Sequence, residues 1–316
     1  MTNDSDSCKL CDERLICLNS QDLSQSIVEY TGDRVIGRKF PTLASAENQI
    51  EMEVRDQKLF IFSGYNTMYK FINDQGYFMY DISQNEMVKV PISNRGWQQH
   101  LMRSQHTINT VKTPCSNPAV LAYCKKHKVK MSNYTHYIFG GEVYDKKQQL
   151  RVASNDLVII EQEADVETRY VQIAGTSNDP IVPRCAPSQQ NKTYAQIEVL
   201  VQRVKTMHRV DPVNGKEPTG RYCHQSCLIG CEPGQKPYLA VYAGLDNNRH
   251  TLGDLVLFDV LNSIWIPVAQ SGFIPENEQG QFGRYNFGMA YEPMLNQIVV
   301  FGGQSNKGTF CKPQVH

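Results

Sequence analysis

The chain lacks a charge excess, a long apolar run and a basic start, and each absence excludes something. Its 316 residues carry 32 Lys+Arg against 32 Asp+Glu, so no net field favours nucleic acid or an anionic membrane. No apolar stretch approaches the ~18 residues of a membrane helix, and Tyr238–Leu245 is among the longest. The opening MTNDSDSCKLCDER is polar and acidic, unlike a secretory leader or an Arg-rich transit peptide. A cytoplasmic protein with reduced thiols is the expectation, with the nucleus left open. The sequons at Asn133 and Asn191 then read as chance matches. Ten cysteines in 316 residues fall short of a disulfide scaffold.

The 41% of hydrophobic residues is enough for a sizeable core, and it is distributed with a period. A short β-favouring run ends in an aromatic and glycine four times: Phe62-Ser63-Gly64, Phe139-Gly140-Gly141, Tyr242-Ala243-Gly244 and Phe301-Gly302-Gly303. Glycine there permits a positive φ or a close backbone approach. Fifteen to twenty residues on, a second apolar run ends in an acid, at Asp81, Glu161 and Asp259. A large residue then opens a third run: Met87 in MVKV, Tyr170 in YVQI and Trp265 in WIPV. An arginine opens each unit, at Arg38, Arg103, Arg221 and Arg284. Each unit thus reads as four short strands. A single antiparallel sheet cannot cover both apolar faces, whereas stacked sheets cover one another.

Arginine strand, apolar run with Phe-Gly-Gly, Asn-Asp-Leu or Gly-Asp-Leu strand (Asn155–Leu157, Gly253–Leu255), then Asp and Trp six apart: this order resembles the kelch repeat. The resemblance runs from about Arg38 to Gly303 and is fullest in HTLGDLVLFDVLNSIW. It implies an all-β fold, a kelch-type β-propeller of four-stranded antiparallel blades. The expected organisation is a polar segment 1–13 and a propeller over 14–310. Blades fall at about 37–92, 103–175 and 220–268, with a fourth at 284–303 closed by 14–30. Kelch units run about 50 residues. Insertions at about 112–134 and 176–219 account for much of the excess length. Within the second, Ala195–Val204 reads as strand or helix, and the stretch from Arg184 is either a fifth, degenerate blade or an excursion. The expected ring is small or incomplete.

The candidate chemistry is sparse. Cys8 and Cys11 with Cys17 resemble half a zinc site without a second ligand pair. Cys223, Cys227 and Cys231 share one face of an ideal strand, where core packing is the default and metal or redox chemistry the alternative. His106 and His224 both stand three after a repeat arginine, which favours structure over ligation. Lys125–Lys130 is a basic run in an insertion, a solvated loop by default or a contact for an acidic partner or anionic lipid. No Walker loop, Gly-x-Ser-x-Gly or Gly-x-Gly-x-x-Gly occurs. No catalytic, cofactor or metal residue is assigned. The singled-out residues, Arg38 through Trp265 above, are repeat punctuation. By fold analogy the expected function is a non-enzymatic protein-binding scaffold, with loops of one face gripping a partner in a cytoskeletal or ubiquitin-ligase complex. The alternatives are a propeller enzyme (a metal-dependent oxidase or sugar-acting) and a truncated structural fragment.

Overall fold

A computed structural model describes residues 15–18, 24–35, 42–45, 58–64, 75–172, 194–214, 216–231, 234–268, 283–305, 308–309 and 314–315. Arg38, Cys8, Cys11 and the stretch from Arg184 to Lys192 lie outside them. The described chain is mostly strand with two short helices, an all-β protein of several antiparallel sheets, none of which closes on itself.

In chain order, β1 (Leu15–Leu18) and β2 (Gln25–Val28) pair with each other. β3 (Thr31–Gly32) joins the first sheet, running parallel to the strand at Glu86–Pro91. The rest of that sheet is β4 (Thr42–Ser45), β5 (Lys58–Phe62), β6 (Gly76–Asp81) and β7 (Glu86–Pro91), in the order β3-β7-β6-β5-β4. Helix α1 (Arg95–Leu101) and β8 (Arg103–Ser104) lead to β9 (Thr107–Pro114), α2 (Pro118–His127) and β10 (Ser132–Phe139). A hairpin of β11 (Glu142–Asp145) and β12 (Leu150–Ala153) follows. β13 (Leu157–Gln172) and β14 (Tyr194–Arg209) complete the second sheet, β14-β13-β10-β9. The third is a plain meander of β15 (Gln225–Ile229), β16 (Tyr238–Leu245), β17 (Thr251–Asp259) and β18 (Ile264–Pro267). The fourth holds β19 (Gly288–Glu292), β20 (Gln297–Phe301) and, after the small pair β21 (Gln304–Ser305) and β22 (Gly308–Thr309), β23 (Gln314–Val315).

Alternation of side chains puts two apolar rows on each sheet, and the rows find each other in sequence order. Phe60, Phe62, Tyr77 and Met79 of the first sheet pack on Tyr134, Ile138, Val158 and Ile160 of the second. Tyr137 and Phe139, on the second sheet's other face, pack on Leu239, Val241, Phe258 and Trp265 of the third. Ala240 and Tyr242 of the third meet Phe287, Ile298 and Val300. The first sheet's far face, with Phe78, Tyr80 and Met87, is covered by Val28, Tyr30 and Val35. The first strands of successive sheets (β4, β9, β15 and β19) are neighbours. Each ring buried this way contributes about 1.5–3 kcal/mol.

Several sequence expectations need correction. The arginines do not open the long strands. A residue at φ near +55° follows two positions later (Gln105, Cys223, Asn286) and turns the chain, so β9, β15 and β19 start four residues after the arginine. Glu161 does not end its strand: β13 runs on to Gln172, with a register shift between Glu161 and Gln162. Tyr170 therefore opens no strand, and the second sheet's fourth strand is β14, inside the supposed insertion 176–219. That unit extends past 175. The other insertion, 112–134, narrows to α2 and its flanks, because Lys112–Pro114 pair with Ser132–Tyr134. The last sheet takes its third strand from β23, whereas among the described residues β1 and β2 pair only with each other. Cys223 stands before β15 at φ +54° and Cys231 after it, so the three cysteines do not line one strand face.

Candidate functional site

The residues singled out in the sequence build one corner three times. Arg103, Arg221 and Arg284 are all buried. Their guanidinium Nη1 atoms donate to the carbonyls of Gly140 (2.8 Å), Ala243 (3.1 Å) and Gly302 (3.0 Å), the middle residue of each aromatic-glycine signature. The next glycine passes so close that a Cβ would stand 2.6 Å from His106 Cβ at Gly141, and 2.8 Å from His224 and Phe287 Cβ at Gly244 and Gly303. The corners also link neighbouring sheets. The N–H groups of Gly64, Gly141 and Gly244 donate to the carbonyls of Arg103, Arg221 and Arg284 of the following unit. Cys223 N–H donates to Gln105 C=O, and Asn286 N–H to Cys223 C=O.

The acids that end β6 and β17 are turn formers. Asp81 accepts from the N–H groups of Ser83 and Gln84 and pairs with Lys58. Asp259 accepts from Leu261 and Asn262 and pairs with Lys236. Trp265 lies against Phe258 and Phe139, sealing the second and third sheets. The two repeat histidines are buried. His224 meets Thr107 Oγ1 at 3.0 Å and Phe139 edge to face, and burial first, then Arg221, holds its pKa at about 3. Burial also holds His106 well below the usual range, reinforced by Arg103 and His224. Neutral histidines at equivalent corners are wedges between sheets. Burial pushes the thiols of Cys223 and Cys227 up to about 12, away from the thiolate that reactive or metal-binding cysteines need. No group of three metal-ligating side chains forms among the described residues.

Two polar constellations had no sequence signal beyond residue type. Between the first and second sheets, Tyr77 Oη donates to Gln162 Oε1 at 2.6 Å, and His136 Nε2 lies 3.0 Å from the same oxygen. Thr110 Oγ1 is 2.9 Å from His136 Nδ1, and Gln162 Nε2 donates to Gln202 Oε1 at 3.0 Å. All five are buried, and burial lowers the His136 pKa to about 4. At the edge of the second sheet, Arg209 binds Asp156 (2.5 Å), Asp211 (2.6 Å) and Glu217 (2.8 Å). Asp156 is thereby drawn to 4.0 Å from Arg103, whereas the equivalent Asp254 grips Arg221 through two bonds of 2.8 and 2.9 Å.

The feature that departs from the repeat is the β13–β14 ribbon. β10 ends its pairing with β13 at Gln162, while β14 continues to Gln172. The tip therefore projects past its sheet as two strands. Tyr170 is 70% exposed, Val171 48% and Ile197 40%. Its charges are matched internally: Lys205 with Glu163, Arg203 with Asp165, Arg169 with Glu167, and Lys126 of α2 with Glu198. Helix α2 packs beside β13, capped by Asn117 and anchored by the buried Val120, with exposed Lys125 and Lys128 at its end. The basic run thus lies on a helix end rather than in a loop. The alternation in EQEADVETRY was the available signal for the ribbon's length. No helix of the described residues is long and apolar enough to cross a membrane. Compared with models of known protein families and with the curated proteins, the chain matches none.

Proposed function

We propose that the four stacked sheets are consecutive blades of a kelch-type propeller, small or incomplete, and that the protein is a non-enzymatic scaffold gripping another protein. The recurring arginine-glycine corners support the first part. They fix successive sheets at equivalent positions through backbone bonds, which suits a rigid frame. The observation that carries the second part is the projecting ribbon. Its apolar side chains are exposed while its charges are already neutralised, so a partner covering it desolvates few unpaired ions. A cytoplasmic protein partner in a cytoskeletal or ubiquitin-ligase assembly is the class that the kelch resemblance suggests. The test compares the full chain with its Tyr170→Ala/Ile197→Asp variant as bait in cell extract. The expected result is loss of at least one specific partner while the variant keeps its circular dichroism and melting temperature. Recovery of the same proteins by both baits overturns the assignment of the ribbon.

A further inference from the structure

The fourth sheet repeats the docking features of the other three and leaves them unused. The signature aromatics Phe62, Phe139 and Tyr242 are 0%, 0% and 2% exposed, each covered by the following sheet, while Phe301 at the same position is 60% exposed. Beside it on the same face, by the pairings Gly288↔Phe301 and Ala290↔Val299, lie exposed Ala290 and half-buried Val299. The backbone shows the same break. Gly64, Gly141 and Gly244 each donate across to the next unit, and Gln105 and Cys223 each accept from it. Among the described residues no hydrogen bond reaches the N–H of Gly303 or the C=O of Asn286.

We propose that this face is occupied by the same face of a second copy, giving a two-fold dimer. Among the described residues the face carries one donor and one acceptor without partners and one large ring, so two copies related by a two-fold axis each supply what the other lacks. A head-to-tail chain is disfavoured, because among the described residues the opposite end of the stack, the far face of the first sheet, is already filled by Val28, Tyr30 and Val35. The interface is again sheet on sheet, but it joins like faces, whereas the three stackings inside the chain join unlike ones. It is distinct from the ribbon, so it stands or falls independently of the scaffold reading.

Sedimentation equilibrium of the full chain across a concentration series tests it. The expected result is a doubling of mass below about 100 μM, the weak end of specific association. Phe301→Glu weakens the dimer by at least about tenfold, because truncating a central aromatic anchor costs more than 1.4 kcal/mol. Since Phe301 is exposed within one copy, the variant monomer keeps its circular dichroism and melting temperature. Val299→Lys weakens the dimer in the same direction, and Ile197→Asp on the ribbon leaves it intact. A chain that stays monomeric through the series overturns the proposal, as does a dimer indifferent to Phe301→Glu or dissolved by Ile197→Asp.

Discussion

The second and third sheets are built on one corner and end in different places. Both hold a buried arginine against the middle carbonyl of the glycine signature, and both hand a glycine N–H to the next unit. In the third sheet the arginine is closed by Asp254, and four short strands finish the unit. In the second, Asp156 turns to Arg209, which sits on the sixteen-residue β14. The difference teaches that the inner corner tolerates little while the outer strands are free to grow. The corner is crowded by backbone, so its geometry has one solution. The outer strands need only a partner strand, and a longer hairpin costs little closure entropy.

The largest expected effect sharpens this contrast. Arg221→Leu strips the carbonyls of Ala243 and Thr219 of their donor and breaks the pair with Asp254. Asp254 is 47% exposed, so its release costs at most about 1 kcal/mol, and the orphaned buried carbonyl of Ala243 brings the loss to about 2–4 kcal/mol. Arg103→Leu should cost about 1 kcal/mol less, because Asp156 keeps Arg209. Urea denaturation of both variants measures the gap, and equal losses would mean that Arg209 does not compensate.

Next comes acid. His136 between the first and second sheets and His224 between the second and third are neutral when folded, with pKa values near 4 and 3. An unfolded histidine takes up its proton near pH 6.5. Their contribution is therefore complete above about pH 6.5 and is lost progressively as pH falls toward those folded values. The loss is about 1.4 kcal/mol per pH unit for each histidine. His136→Gln should remove about one proton's worth of that slope between pH 6 and 4, read from urea midpoints across pH. An unchanged slope would show that His136 is protonated in the folded protein.

The smallest effect probes the outer strands. Val166 and Leu200 are opposite each other. Joining them through Asn-Gly, a favoured two-residue hairpin turn, removes the ribbon tip and the exposed Lys126–Glu198 pair. Such a surface pair is worth less than about 1 kcal/mol, so the melting midpoint should barely move. A large drop would make the tip part of the core.

Some of this was open to reading in the chain. The arginines, the glycine signatures and the turn-forming Asp81 and Asp259 are local patterns, and their spacing located the sheets. The corner's turning residue was hidden, because Gln105, Cys223 and Asn286 adopt positive φ without being glycine. Tyr-Val-Gln at 170–172 looks like a strand start because it is strand; pattern does not say that the strand began thirteen residues earlier, at Leu157. The network of Tyr77, His136, Gln162 and Gln202 joins residues up to 125 positions apart, and no local spacing announces it.

By itself the amino-acid order determined that this protein is a series of short strands with glycine and arginine at fixed intervals, since β-propensity, turn chemistry and the lack of a Cβ act within a few residues. Only the tertiary structure decided which faces are covered. It put Phe139 and Tyr242 inside and left Phe301 outside, though all three open the same kind of glycine signature. Burial depends on whether another sheet stands opposite, and that is a property of the assembled stack rather than of any one segment.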